Sequence, residues 1–564
     1  MSPLEDLQAR ADALLTRTDD TATAEAKIAS TEGPSRRFLP FIPSELDRAL
    51  ELASELMRIA DAEGGEAGVA AALAEAERRA DVEDVQLVRH AIELFIVHDP
   101  EAARLAIPPI PPPAAKRAAG RLAGAIGREA ALDWFREDPL GNDHHRHWHI
   151  VYPARGRPGP GGVQLQDRQG ELFFYMHQQM LARYDAERRA LGFGPVVPFA
   201  DYREPIGEGY EDRPSGQALR DVDRPDTGGL LSLDDLESQR DRLLAAVTAG
   251  AAENGAGPRP LTSELLAALE EPTAGTLWRD VWHHGFGHVI TAFVMAPDGG
   301  GEPGDIGDTA TAIRDPFFWR WHRHIDDANF ALQERLEPFT FDDAPAVTLS
   351  AIELAVEDEP GTPVDELQTL VAETDGVEHG DHEPFLWRLH AENPGEAVRT
   401  VTVRIFLAPA EAVEDRRAWI EMDKFEQVLA PGANEIERPG RLASPVRKPA
   451  ERPPVLVQGP AQTPHEQYCR CGWPYHLLLP RGTPAGMPFR VLAMLTDWEL
   501  DKVSGDDDCG SMSFCGSRDR YPDTREMGYP FSRPLPGGVA ATLEALPSVR
   551  ARDLTIRHDP RPPH

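Results

Sequence analysis

The period of the hydrophobic pattern changes once, near Pro338, and no other feature limits the fold as much. Upstream, apolar residues recur at three and four, as in Leu46, Leu50, Ala53, Met57 and Ala60, which is the spacing of one helix face. The same spacing predicts helices over 170–191, 276–295 and 315–336. Downstream, period-two alternation over 347–356, 384–391, 399–407, 419–421, 490–495 and 553–557, punctuated by Pro and Gly, predicts a β-sandwich. The run IPPIPPP at 107–113 divides the helical part, because each proline removes a donor and fixes its own φ. It reads as an extended connector. The stretch 443–464 carries six prolines and reads as a surface loop between strands. A chain of 564 residues exceeds one ordinary core, so two to four domains are expected. The pattern supplies three: helical, helical and β.

Composition narrows the partners. Lys+Arg 58 against Asp+Glu 94 gives a net charge of -36, which repels phosphate backbones and anionic lipid headgroups. Neither nucleic acid nor a membrane is therefore expected as a partner. No apolar run of about 18 residues occurs, so no membrane-spanning helix is expected. The start MSPLEDLQARADALL is acidic where a secretion signal is basic and then apolar, which makes the cytoplasm the default location. The four cysteines all fall late, at Cys469, Cys471, Cys509 and Cys515. Such C-x-C crowding is open to disulfides or to a zinc site.

Histidine carries the chemistry. Four of the 19 fall within HHRHWH at 144–149, and a second group is His283, His284 and His288. His145 and His149 are spaced i,i+4, as are His284 and His288, which on a helix puts two imidazoles on one face. At this histidine frequency about half a pair is expected by chance, so the spacing alone is weak. Each pair is followed by a histidine inside an amphipathic helix, His177 in GELFFYMHQQM and His322 in DPFFWRWHRHIDD. Two sites of three histidines can then be written. The Glu that follows the first histidine in zinc proteases is missing, and so is the ExxH pair of di-iron bundles. An all-imidazole donor set suits copper better than magnesium, calcium or carboxylate-bridged iron. The residues alone lead to a helical dinuclear copper candidate.

The words around these histidines identify a family. WFREDPLGNDHHRHWHIVYP, GELFFYMHQQMLARYDAERRALG, YREPIGEGY, DTATAIRDPFFWRWHRHIDD, VRIFLAP, IEMDKF, CGWPYHLLLPRGTPAGMPF and RDRYPDTREMGYPF closely resemble the arthropod-type hemocyanins and prophenoloxidases, from about residue 37 to the end. The resemblance implies an N-terminal helical domain at 38–125, a central four-helix-bundle dicopper domain at 126–340 and a C-terminal immunoglobulin-like β-sandwich at 341–564. It implies two copper ions, with His145, His149 and His177 resembling the copper A ligands and His284, His288 and His322 the copper B ligands. His144, His147, His283 and His324 fall on positions that are not ligands in the family.

The family holds oxygen carriers and phenol oxidases with the same ligands. The last two words resemble the oxidase branch, whose pattern pairs Cys469 with Cys509 and Cys471 with Cys515. The resemblance therefore implies a type-3 copper phenoloxidase, of catechol oxidase or tyrosinase type, taking a small phenol and dioxygen. The alternative is a reversible dioxygen-binding protein. Arg37-Phe38 resembles the bond that a protease cuts in oxidase precursors, which makes 1–37 a candidate activation segment. Oxidase relatives act outside cells without a signal peptide, and a homo-oligomer is expected. Two departures stand out. Alignment puts Val88 where a first-domain Phe often covers copper A, so an open site, or a blocker supplied elsewhere, follows. Gly285 stands where the family usually has Asn, which weakens monophenol hydroxylation more than diphenol oxidation. Phe286, Phe318 and Trp319 are candidate substrate-pocket residues or, as aromatics on bundle helices, core.

Overall fold

The structure is a computed structural model that describes residues 2–18, 38–110, 128–210, 213–224, 229–253, 257–270, 282–297, 301–357, 361–374, 377–447, 472–503 and 521–559. Arg37, the four cysteines and most of the proline-rich stretch, 448–464, lie outside the described residues. The chain forms two compact bodies. The first comprises Met1–Gly170 and Pro198–Ala328, and the second Glu171–Val197, Asn329–Leu456 and Cys469–His564.

The first body is helical. Its main helices are α1 (Pro3–Leu15), α2 (Pro43–Glu63), α3 (Gly65–Ala80), α4 (Val85–His98) and α5 (Pro139–Val151). Helix α6 (Gln169–Ala190) begins here and runs into the second body. After it come α7 (Leu233–Ala249), α8 (Ser263–Glu270), α9 (His283–Ala292) and α10 (Pro316–Gln333). The residues expected to line one face of α2, namely Leu46, Leu50, Ala53, Met57 and Ala60, are all buried. Helix α1 buries Leu7, Ala11, Leu14 and Leu15 and is fastened outward by Arg10 to Glu77 and Arg17 to Asp81. So part of the candidate activation segment is folded onto this body.

Between α1 and α2 the described chain resumes at Phe38, whose N–H donates to the Asp84 Oδ2 at 3.1 Å. The same carboxylate caps α4 through the Gln86 N–H. Leu39, Pro40, Phe41 and Ile42 then form a turn closed by the Ile42 N–H on the Leu39 carbonyl at 3.0 Å. Proline is favoured at the second position of such a turn because its φ is preset. Pro43 occupies the first turn of α2, where its missing N–H costs nothing. This short turn is thus fixed at both ends.

The second body is a β-sandwich. Its strands are β1 (Thr348–Val356), β2 (Pro363–Val364), β3 (Glu366–Thr374), β4 (Val377–His382), β5 (Phe385–Asn393), β6 (Arg399–Pro409), β7 (Ile420–Leu429), β8 (Gly432–Pro439), β9 (Met487–Asp497) and β10 (Val549–Asp559). One sheet runs β4-β3-β10-β9-β6-β7 and the other β8-β5-β1-β2. All pairings are antiparallel except β10 on β3. Alternation sets the faces: Val401, Val403, Ile405 and Leu407 enter the core with Trp387, Leu389, Val491, Ala493 and Leu495. Phe406 and Ala408 of β6 instead join Trp419, Tyr529 and Phe531 in a second cluster. Strands β3, β4 and β8 escape the period-two reading because their alternation is thin and broken by turn residues.

Helix α6 is bound to this sandwich by polar residues at strict i,i+4 spacing. The Tyr175 hydroxyl meets the Glu421 carboxylate. Gln179 donates to the Trp419 carbonyl at 3.2 Å and accepts the Glu421 N–H at 2.7 Å. The Arg183 guanidinium reaches the Leu478 and Glu421 carbonyls, each at 3.0 Å. One turn on, Glu187 accepts the Arg481 N–H at 2.9 Å. A buried polar stripe is tolerated because each of its residues finds at least one partner.

Burial pushes the Glu187 carboxyl up to about 7, with the Arg481 N–H opposing. An unfolded chain releases that proton near 4.5, so unfolding releases a proton between the two values and stability falls as pH rises through that window. Glu187→Gln is expected to recover stability on the order of 2 kcal/mol at pH 8 and nearly none at pH 4. Thermal melts of both chains across this range check it, and parallel profiles would refute it.

Candidate metal centre

Two helices of the first body carry a histidine pair each. Helix α5 is capped by Asp138, whose carboxylate accepts the Leu140 and Gly141 N–H groups at 3.0 and 2.8 Å. One turn apart on it, His145 and His149 bring their Nε2 atoms to 3.2 Å. Helix α9 does the same with His284 and His288, at 3.1 Å. His322 on α10 completes this second group, with its Nε2 at 3.0 Å from that of His284. All the ligand atoms of His284, His288 and His322 lie within 4.8 Å of one another.

Backbone carbonyls decide which nitrogen of each ring is available. The Nδ1 of His145 faces the Thr309 carbonyl at 2.7 Å, that of His288 the Ile306 carbonyl at 2.8 Å and that of His322 the Phe318 carbonyl at 2.9 Å. A carbonyl has no proton to give, so each Nδ1 carries the hydrogen and each Nε2 is left with a lone pair. His288 and His322 both aim such a lone pair at His284, whose single ring proton could satisfy only one of them. A metal cation satisfies all three. The donor set therefore fits a metal that prefers imidazole, as copper does. Burial holds His145 down at about 4, against the pull of the Thr309 carbonyl, so that ring stays neutral at physiological pH.

His177, expected as the third ligand beside His145 and His149, lies buried on α6 in the second body. Its Nδ1 donates to the Phe173 carbonyl one turn back at 2.8 Å, the arrangement His322 shows on α10.

Two residues close to this centre had no signal of their own in the sequence. Glu270 at the end of α8 is fully buried, and its Oε2 lies 2.7 Å from the Nδ1 of His283. The Tyr202 hydroxyl bridges the Nε2 atoms of His283 and His324 at 2.6 and 2.8 Å. This chain ties α8, α9 and α10 together immediately behind His284 and His322. Burial holds His324 down at about 3 and raises the Tyr202 phenol above its ordinary value. Tyr202 stands inside the word YREPIGEGY, but nothing in that word announces its partners.

The ring over the histidines comes from a residue the alignment did not select. Phe41 stacks on His288 with ring centroids 3.9 Å apart and planes 10° from parallel. It also meets His149 and His284 edge-on at 5.9 and 5.8 Å. Val88 is buried in α4, and the ring that lies against the histidines comes instead from the turn before α2. Among the pocket candidates, Phe318 stacks on His322 at 3.8 Å and stands edge-on to His145 at 5.1 Å. Phe286 packs against Trp282, while Trp319 donates to the Ile313 carbonyl and packs against Phe135, so their contacts are those of helix packing. His144 and His147 are buried rather than exposed.

Residues 115–329 match the family described as "Hemocyanin, copper containing domain", and 345–558 that described as "Hemocyanin, ig-like domain". The chain is 37% identical over 473 residues to "Hemocyanin C chain" of Aphonopelma sp., covering 76% of this chain and 75% of that one. It is 36% identical over 488 residues to "Phenoloxidase 8" of Anopheles gambiae, with coverage of 76% and 69%. Among solved structures, a scorpion hemocyanin in its activated state superposes with a TM-score of 0.80 at 29% identity, over 99% of this chain and 100% of that one. A crustacean hemolymph-type prophenoloxidase superposes at 0.76 over 98% and 91%, and at 23% identity it bears on the fold alone.

Removing one imidazole from either group should cost that group its metal. His149→Ala or His288→Ala is expected to lower the copper retained after dialysis by about half, measured by elemental analysis per folded chain. Tyr202→Phe, which keeps every ring nitrogen of both groups, should retain the full content. Equal retention in all three chains would show that the metal lies elsewhere.

Proposed function

Because the chain belongs to the arthropod hemocyanin and phenoloxidase family, we propose that it is a type-3 copper phenoloxidase whose resting state is closed to phenols. In this reading one copper ion is held by the buried pair His145 and His149 and one by His284, His288 and His322, and the resemblance to the family names His177 as a further ligand of the first. Copper, when bound, supplies the redox chemistry that lets dioxygen take electrons from a diphenol. The overall balance is two o-diphenols and one dioxygen giving two o-quinones and two waters, each diphenol losing two electrons and two protons.

The observation that carries the reading is the Phe41 ring. It lies parallel to His288 and within edge contact of His149 and His284. A phenol ring placed there would meet both groups at once. The chain's own residues then have separable tasks. The Thr309, Ile306 and Phe318 carbonyls orient the imidazoles. Burial keeps water from them, and Phe318 supports His322 from one side. Gly285 offers no side chain to hold a water against a monophenol, so the reading is firmest for o-diphenols. The same Phe41 ring favours a second reading, a reversible dioxygen carrier, since a small gas can pass where a phenol cannot.

Copper-loaded protein given 4-methylcatechol and followed for quinone separates the two. Phe41→Ala is expected to raise kcat/KM for 4-methylcatechol by roughly tenfold or more. No quinone from either chain, with reversible dioxygen uptake retained, would establish the carrier instead. As part of the same reading, trypsin cleavage after Arg37 should raise the rate, since the new amino terminus at Phe38 lies three residues from Phe41. Cleavage there without activation would remove the latent-precursor role.

A further inference from the structure

Helix α9 contains two glycines, Gly285 and Gly287, between its two candidate ligands. Neither has the left-handed backbone that favours glycine. Each therefore costs the helix about 1 kcal/mol relative to alanine with no conformational return. Space accounts for both. A Cβ on Gly287 would enter the Trp321 ring, whose Nε1 donates to the His284 carbonyl at 3.1 Å. A Cβ on Gly285 would stand 2.5 Å from the Phe41 carbonyl oxygen and 3.5 Å from its carbonyl carbon.

The second contact involves backbone, which cannot swing aside as a side chain can. Phe41 sits in the turn that Pro40 stiffens and that the Ile42 N–H closes on Leu39. The turn is held upstream by Phe38 on Asp84 and downstream by Pro43 in the first turn of α2. Its main chain can rest against α9 only where α9 has no side chain. With that carbonyl seated, the Phe41 ring reaches His288.

We infer that Gly285 is the positioning residue that sets access to the paired histidine groups, because its bare Cα lets the Phe41 turn seat against α9 and lay the ring over His288. At the spacing this chain adopts, even a methyl at 285 displaces the seated carbonyl and opens the space to a ring-sized organic ligand. The inference builds on the Phe41 cover used in the proposed function, but does not require that the protein oxidise phenols.

The test uses Gly285→Ala and Phe41→Ala, alone and together, in the full chain. In copper-free protein, Gly285→Ala should speed chymotrypsin cleavage after Phe38 and Phe41, mapped by mass spectrometry, by at least about tenfold. It should also lower the melting temperature, although alanine is the better helix former. In copper-loaded protein, phenylthiourea, a soft sulfur ligand carrying one ring, should bind at least about tenfold more tightly by calorimetry, with copper content unchanged. In the Phe41→Ala background, Gly285→Ala should add nothing to that affinity, because the ring it displaces is gone. A raised melting temperature, unchanged cleavage, or an affinity gain that persists without Phe41 would each overturn the inference. If Gly285→Ala does not fold, Pro40→Gly loosens the same turn without adding an atom near α9. It must then raise phenylthiourea affinity, and no gain would overturn the inference. Faster cleavage and tighter phenylthiourea binding without quinone formation would uphold the role of Gly285 and remove the oxidase reading alone.

Discussion

Placing neutral imidazoles in a dry interior is costly unless each ring has one nitrogen satisfied and the other aimed at something that accepts its lone pair. The carbonyls of Thr309, Ile306 and Phe318 meet the first condition for His145, His288 and His322. A metal meets the second. Much of the first body follows from this requirement. The segment between α9 and α10 is shaped to present two carbonyls, Ile306 and Thr309, to rings on two different helices. On α10, His322 uses the carbonyl one turn back, so no loop is needed there.

Close approach of the helices is the second condition, and it is met by leaving atoms out. Gly287 admits the Trp321 ring, which brings α10 near enough for His322 to stand 3.0 Å from His284. Gly285 admits the Phe41 carbonyl on another side of the same helix. Behind them, Glu270, His283, Tyr202 and His324 form a buried chain of hydrogen bonds across three helices. Such a chain is stabilising only when every member is paired, and it restrains the backbone on which His284 and His322 sit. The polar stripe Tyr175, Gln179, Arg183 and Glu187 plays a comparable part in the second body, where it binds α6 to the sandwich.

Much of the fold was legible because it rests on periodicity. The α2 stripe from Leu46 to Ala60, and the alternation from Val401 to Leu407, place residues on a face whatever the neighbours are. The pairs His145 with His149 and His284 with His288 were legible for the same reason, since a helix puts i and i+4 on one side. Strands β3, β4 and β8 were not, because short or polar strands take their stability from the sheet they join rather than from their own pattern. Phe41 was not legible as a covering ring, although Val88 at the aligned position left room for one supplied from elsewhere, and the reason is related. Alignment compares positions along a chain, and a covering ring is defined by the space it fills.

By itself the sequence determined a helical half and a β half, two histidine pairs on helices, and a cluster of words shared with the hemocyanins and phenoloxidases. Those properties are local, and local spacing is written directly in residue order. Tertiary structure alone decided which nitrogen of each imidazole is offered, how closely His322 approaches His284, that Glu270 and Tyr202 brace them, and that Phe41 covers them with Gly285 making room. Each of these depends on contacts between residues distant in sequence, and such contacts exist only once the helices have packed.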